Sequence, residues 1–166
     1  MKSIRVAKQG ELKIIQDLAH EIWPHAYGDI LSAAQLKYML DKMYSLASLQ
    51  HQLLELGHNF IILSNDDVPV GFASFSSEKK DNFIFHLHKI YVSRRQQGTG
   101  AGKMLLEYVI TKIKEVGATS LELNVNRQNK ARYFYEKQGF VIKEEVDIEI
   151  GEGFFMNDFI MQLQLT

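Results

Sequence analysis

Apolar residues along this chain alternate between a spacing of two and a spacing near 3.6, the pattern of a domain that mixes strands with helices. Ser3 to Ala7 reads as a first strand. Leu12, Ile15, Ala19 and Ile22 then fall on one face of a helix that Pro24 is expected to limit. Ser32-Ala33-Ala34-Gln35 fits a capping box, and Leu36, Met39, Leu40 and Met43 follow as a buried stripe. A third helix carries Leu46, Leu49, Leu53 and Leu56, with Gly57 suited to a left-handed cap.

Strands come next. Phe60 to Leu63 and Val70 to Phe75 flank the turn-prone Asn65-Asp66-Asp67. Phe83 to Val92 predicts a long strand with Ile84, His86, His88, Ile90 and Val92 on one face. Gly98-Thr99-Gly100-Ala101-Gly102 opens a helix bearing Leu105, Tyr108, Val109, Ile113 and Val116, which Gly117 ends. Leu121, Leu123 and Val125 alternate with Glu122, Asn124 and Asn126 as a strand. Asn129 caps a short helix closed by Gly139, and two strands, Phe140 to Ile150 and Phe155 to Leu165, meet at a Gly151-Glu152-Gly153 hairpin. The order β-α-α-α-β-β-β-α-β-α-β-β predicts a single α/β (α+β) domain over 1–166 and departs from a strict βαβ repeat.

Composition narrows the function. The 166 residues are 46% hydrophobic and 23% charged, ordinary for a folded domain. A formal net charge of -1, without a long Lys/Arg run, argues against a nucleic-acid partner. With no cysteine there is no disulfide, cysteine nucleophile or thiolate metal site. Met1 to Arg5 lacks the apolar run of a signal peptide, and aliphatic runs such as Ile61-Ile62-Leu63 are too short to span a bilayer. The expectation is a cytoplasmic protein with no membrane partner. His20, His25, His51 and His58 show no metal-ligand spacing and read as surface or cap residues, so no metal is expected.

The most informative segment is Arg95-Gln96-Gln97-Gly98-Thr99-Gly100-Ala101-Gly102-Lys103, between a strand and a helix. Glycines let backbone approach an anion, and the first N–H groups of a helix have no internal partner. Together with the helix dipole they favour a phosphate or pyrophosphate. A Walker A loop needs glycine where Gln97 stands and Ser or Thr where Met104 stands. A dinucleotide fingerprint needs glycine in place of Lys103. An NTPase and a dehydrogenase are both disfavoured.

Arg95 to Gly100 matches the Arg/Gln-x-x-Gly-x-Gly/Ala signature of the GNAT N-acetyltransferase superfamily. Leu87 to Val92 resembles that family's fourth strand, and Asn126 to Phe140, ending Tyr135-Glu136-Lys137-Gln138-Gly139-Phe140, resembles its second conserved block. The segment from Ile22 to Leu56 and the ending Asp158-Phe159-Ile160-Met161 also resemble bacterial polyamine-type acetyltransferases. The resemblance implies a six- to seven-stranded, mostly antiparallel sheet flanked by helices and splayed between its fourth and fifth strands. It implies acetyl-CoA as co-substrate, with Ile90, Tyr91 and Val92 along the pantetheine arm. Arg95 introduces the loop, the pyrophosphate lies on Gln97, Gly98, Thr99, Gly100, Ala101, Gly102 and Lys103, and Asn129 bonds the pantetheine side.

Acetyl transfer needs a deprotonated amine, donors for an oxyanion and a proton for the departing thiolate. By resemblance Tyr135 is the acid for the thiolate and also meets the cofactor; its other reading is a core tyrosine. His86 and His88 are candidate bases, since imidazole titrates near neutral pH, or else packing residues. The resemblance further implies a backbone N–H near Tyr91 or Val92 as the oxyanion donor. Glu122, Asn124 and Asn126 read as a solvated or sheet-edge face. Glu144, Glu145, Asp147 and Glu149 either attract a cationic amine or form the wet face of a sheet. By the same resemblance the helices from Leu12 to Leu56 are expected to form the acceptor side, where Trp23, Tyr27, Tyr38 and Tyr44 either line the cleft or pack the core. The partners expected are acetyl-CoA and a small amine or polyamine. The alternatives are a protein N-terminal or lysine acceptor, or a non-catalytic acyl-CoA sensor. An exposed final strand suggests a homodimer.

Overall fold

The computed structural model describes residues 1–166, and the alternating and helical burial patterns become the expected succession of elements. Strand β1 (Lys2–Val6) leads into helices α1 (Leu12–Tyr27), α2 (Ala33–Tyr44) and α3 (Leu46–Leu54). Strands β2 (Asn59–Asn65), β3 (Val68–Ser77) and β4 (Ile84–Val92) follow, then α4 (Ala101–Glu115) and β5 (Ser120–Asn126). Helix α5 (Ala131–Lys137) and strands β6 (Val141–Gly151) and β7 (Phe154–Gln164) complete the chain. The strands form one sheet in the order β1-β2-β3-β4-β5-β7-β6. Every pairing is antiparallel except β4 with β5.

The sheet separates two apolar cores. On one face α4 packs Leu105, Leu106, Val109 and Ile113 against Leu87, Leu121, Leu123 and Met161. On the other, α1 to α3 bring Ile15, Trp23, Leu40, Tyr44 and Leu49 onto Phe60, Ile62 and Phe72. Burial of these large side chains supplies the dominant favourable term in holding the layers together.

The splay is visible in the register. The parallel ladder runs from Ile84 opposite Ser120 to Leu87 opposite Leu123 and then stops. Beyond it β4 continues to Val92 and β5 to Asn126, with β5 now held only by β7.

Four sequence expectations change in detail. Pro24 lies inside α1, which continues to Tyr27. The proline and His20, whose carbonyl loses its donor, are both exposed, so water can replace the missing bond while Trp23 anchors the helix in the core. Ser32 caps α2 by accepting from Gln35 N–H at 3.1 Å, but the Gln35 side chain donates to the Phe155 carbonyl at 2.8 Å instead of completing the box. The residues of β4 do not share one face throughout. Lys89 faces Ser74 and Leu87 faces Phe75, which leaves His88 as an extra residue in a bulge. After it Ile90 and Val92 turn to the α4 side and Tyr91 to the α1 side. Finally, β7 is interior; the open edges are β1 and β6, so pairing through the final strand is not available to a dimer.

Candidate active site

The loop between β4 and α4 owes its shape to two glycines in left-handed backbone, Gly98 at φ 80° and Gly100 at φ 82°. Gln97 N–H bonds the Arg94 carbonyl and Thr99 N–H the Gln96 carbonyl, each at 3.3 Å. The first bond of α4 is Met104 N–H to the Gly100 carbonyl at 3.0 Å. The N–H groups of Gly98, Gly100, Ala101, Gly102 and Lys103 therefore have no carbonyl partner, and they stand together at the positive end of a 15-residue helix. Lys2 donates to the Thr99 carbonyl at 2.9 Å and ties the loop to β1. Arg95 lies 3.8 Å from Glu21 on α1. No side chain crowds the space a Cβ would take at Gly98 or Gly100. The loop is open and donor-rich, as a diphosphate requires.

Beside the loop, a groove of about 370 Å³ lies between the end of α1 and Arg94 and Gln97. A smaller cavity, about 70 Å³, lies at the splay itself. Its walls come from α1 (Trp23, Tyr27), α2 (Gln35, Met39, Met43), β4 (His86, Leu87, His88, Tyr91), β5 (Asn124, Asn126) and β7 (Phe155, Met156, Asp158). Two further bonds fasten α2 over this space: Tyr38 donates to the Ile150 carbonyl at 2.7 Å and Lys42 to the same oxygen at 2.5 Å. Of the aromatics expected on the acceptor side, Trp23 and Tyr27 line the cavity, Tyr44 is core, and Tyr38 fastens the roof. Asn124 and Asn126 face the cavity rather than solvent, whereas Glu122 pairs with Lys143 at 3.0 Å.

Tyr135, on α5, is buried, and its hydroxyl makes no hydrogen bond within the protein. Burial, helped by the nearby Tyr27, pushes its pKa far above the ordinary phenol value, so it keeps its proton at neutral pH. The Tyr27 hydroxyl hydrogen-bonds that of Tyr91 at 2.8 Å, linking α1 to β4 beyond the bulge. Asn129 accepts from Ala131 N–H at 2.9 Å, the local turn that starts α5.

The two β4 histidines sit in different surroundings. His88 exchanges a 2.7 Å hydrogen bond between Nε2 and the Ser76 hydroxyl and stacks on His58 with ring centroids 3.8 Å apart. Burial, then the neighbouring His58, His86 and Lys89, depress its pKa to about 2. His58, half-buried and stacked on His88, is a packed residue and not the surface or cap residue its spacing suggested, and burial chiefly brings its pKa to about 4. His86 is also lowered by burial, but Glu78, 3.6 Å away, and Glu122 oppose the shift. Lys89 points into the helical core, donates to Gln52 Oε1 at 2.5 Å and is brought down to about 8 by burial.

Sequence reasoning missed Asp158 as a site residue. It is 2% exposed, lines the cavity, and has one side-chain partner, the Asn124 amide at 3.4 Å. Its signal lay only in a charged residue within the apolar run of β7. The acidic strand β6 is partly neutralised, because Arg127 takes Asp147 at 2.6 Å and Glu145 at 3.3 Å. No group of three His, Cys, Asp or Glu side chains is arranged to hold a metal ion, and no helix is long and apolar enough to cross a membrane.

Comparison with known proteins agrees with this architecture. A family model described as an acetyltransferase (GNAT) domain matches residues 29–155. The ribosomal protein bS18-alanine N-acetyltransferase of Haemophilus influenzae is 34% identical over 105 residues, 63% of this chain and 67% of that protein. The peptidyl-lysine N-acetyltransferase YjaB of Salmonella typhimurium is 34% identical over 91 residues, 53% of this chain and 54% of that protein. The matched stretches thus span between about half and two thirds of these relatives' own lengths. In fold, the chain resembles the PaiA N-acetyltransferase of Thermoplasma acidophilum, solved in complex with coenzyme A, with a TM-score of 0.83, 24% identity and 99% of each chain covered.

Proposed function

The chain belongs to the GNAT family of acetyltransferases and is an acetyl-CoA-dependent N-acetyltransferase, and we propose that its acceptor is a small primary amine that attacks directly within a ternary complex. The observation that carries this reading is the cavity at the splay. At about 70 Å³ it has room for an amino group on a short chain, on the order of five waters by volume. The Gln35–Phe155 and Tyr38–Ile150 bonds hold α2 over it.

In this reading the five free N–H groups from Gly98 to Lys103 hold the diphosphate, and β4 from Ile90 to Val92, without a β5 partner, aligns the pantetheine arm. Acetyl-CoA supplies the activated acyl group. A main-chain N–H near Tyr91 or Val92 stabilises the oxyanion. Tyr135 gives its proton to the departing sulfur. His86 accepts the amine's proton through water, because Glu78 and Glu122 sustain its basicity, whereas His88 is too weak a base to hold a proton near neutral pH. His88 then serves mainly to pack the bulge. A cysteine-free chain is compatible with a cytoplasmic location.

A protein N-terminal or lysine acceptor is the second reading, favoured by what the two relatives at 34% identity act on. A thiol-release assay with acetyl-CoA and a panel of alkylamines, lysine peptides and peptide N-termini separates the two. Turnover confined to peptides contradicts the small-amine reading, and coenzyme A binding without turnover on any acceptor indicates a sensor.

A further inference from the structure

The chemistry assigned above leaves the buried carboxyl of Asp158 without a task. Asp158 lies in the middle of β7, opposite Asn126 on β5, and is 2% exposed. A carboxylate so enclosed is costly unless it is paired or well hydrogen-bonded. Its one side-chain partner is the Asn124 amide, at a long 3.4 Å. Arg127 acts on it only through space and forms no ion pair with it. The guanidinium of Arg127 donates to the Val146 carbonyl at 3.1 Å and to the main-chain carbonyl of Asp158 at 3.4 Å, while its charge is met by Glu145 and Asp147. The carboxylate therefore lines the cavity with no protein cation paired to it. Burial raises its pKa, opposed only in part by Asn124 and Arg127.

The rest of the cavity wall tells what would satisfy it. Trp23, Tyr27 and Tyr91 form an aromatic cluster, with Trp23–Tyr27 and Trp23–Tyr91 ring centroids 4.6 and 5.7 Å apart. Aromatic faces attract an ammonium group, and Met39 and Met156 offer adaptable apolar surface to a methylene chain. No Lys or Arg side chain lines this space to receive a carboxylate.

We infer that Asp158 is the counter-ion of the acceptor's ammonium group, so that the enzyme selects protonated alkylamines and rejects amines that carry a neighbouring carboxylate. The inference rests on the proposed acceptor cavity and adds to it a charge requirement and the residue that imposes it. Asp158 binds and orients the cationic nitrogen; the proton is released afterwards to His86.

The test is steady-state acetyl transfer from acetyl-CoA to butylamine by wild type and Asp158→Asn. Inhibition by choline and by its neutral isostere, 3,3-dimethylbutan-1-ol, is measured on both, and coenzyme A binding is followed in parallel. The expected result is a rise in the amine KM on the order of 30-fold or more for Asp158→Asn, with kcat falling far less and coenzyme A affinity unchanged. Wild type should prefer the cationic inhibitor to the neutral one by a similar factor, and the variant should lose that preference. If Asp158→Asn does not fold, the wild-type preference decides. An unchanged amine KM, or equal inhibition of wild type by both compounds, overturns the inference while the enzyme remains an alkylamine acetyltransferase. Absence of turnover on any alkylamine by wild type would instead overturn the small-amine reading on which it rests.

Discussion

Leu87 and Leu123 are the last residues that β4 and β5 share. Past that pair β4 is held only by β3 and β5 only by β7, and the residues assigned to chemistry cluster around the resulting opening. The bulge at His88 lies one residue beyond Leu87, so the place where the strands part is also where β4 exchanges its faces. That exchange sends Tyr91 toward Tyr27 and the acceptor cavity, and Ile90 toward α4.

Tyr135→Phe removes the hydroxyl proposed to protonate the leaving sulfur and little else, since that hydroxyl bonds no protein group. The expected outcome is a loss in kcat of roughly 100-fold or more, the usual range for general acid catalysis, with coenzyme A affinity within a few-fold of wild type. Single-turnover kinetics measure it; wild-type turnover would remove Tyr135 from the role.

Gly100→Ala places a Cβ in open space, so any cost comes from the left-handed backbone at φ 82°. That cost is about 1–2 kcal/mol, or a few degrees in Tm for a domain of this size. Relief by local backbone movement would shift the free N–H groups at the start of α4. Calorimetry should therefore find weakened coenzyme A binding alongside the lower Tm, and an unchanged affinity would argue that the loop does not hold the diphosphate.

The two β4 histidines should separate in pH–rate profiles. With His86 as proton acceptor, wild-type kcat falls on the acid side of neutrality, with a midpoint below the usual imidazole value of 6.5. His86→Ala should abolish that limb and His88→Ala should keep it. If both variants keep it, neither histidine accepts the proton.

Stability should also report the stacked His58–His88 pair. Unfolded, each titrates near 6.5; folded, His58 stays neutral down to about 4 and His88 to about 2. Between these values the unfolded chain binds more protons, so stability is level above pH ~6.5 and falls as the pH drops below it. The slope is about 1 kcal/mol per pH unit per histidine before screening by solvent. Thermal melts from pH 7 to 5 should give a shallower fall in His58→Phe than in wild type, and parallel slopes would deny the burial its effect.

Much of this was legible in the sequence, for reasons that differ by residue. The glycines at 98 and 100 announced a backbone free to approach an anion, which the structure realises with left-handed φ at both, and the element order followed from apolar spacing that tertiary packing reinforced. Pro24 misled because a proline on an exposed face of α1 removes a bond that water can replace. The face exchange in β4 could not be read from β4 alone, since a bulge is a property of two strands, here of the pairing of Ser74 and Phe75 with Lys89 and Leu87. Asp158 stayed hidden for a similar reason. Only the insertion of β7 between β5 and β6 brings it beside Asn124 and into the cavity.

The central claim is that the loop donors and the unpaired length of β4 together receive acetyl-CoA. Amide NMR during a coenzyme A titration tests it most directly. The account predicts that the N–H signals of Gly98, Gly100, Ala101, Gly102 and Lys103 shift together with those of Ile90 to Val92 and saturate at one equivalent. Shifts absent from both segments, or confined to another part of the sheet, would contradict it.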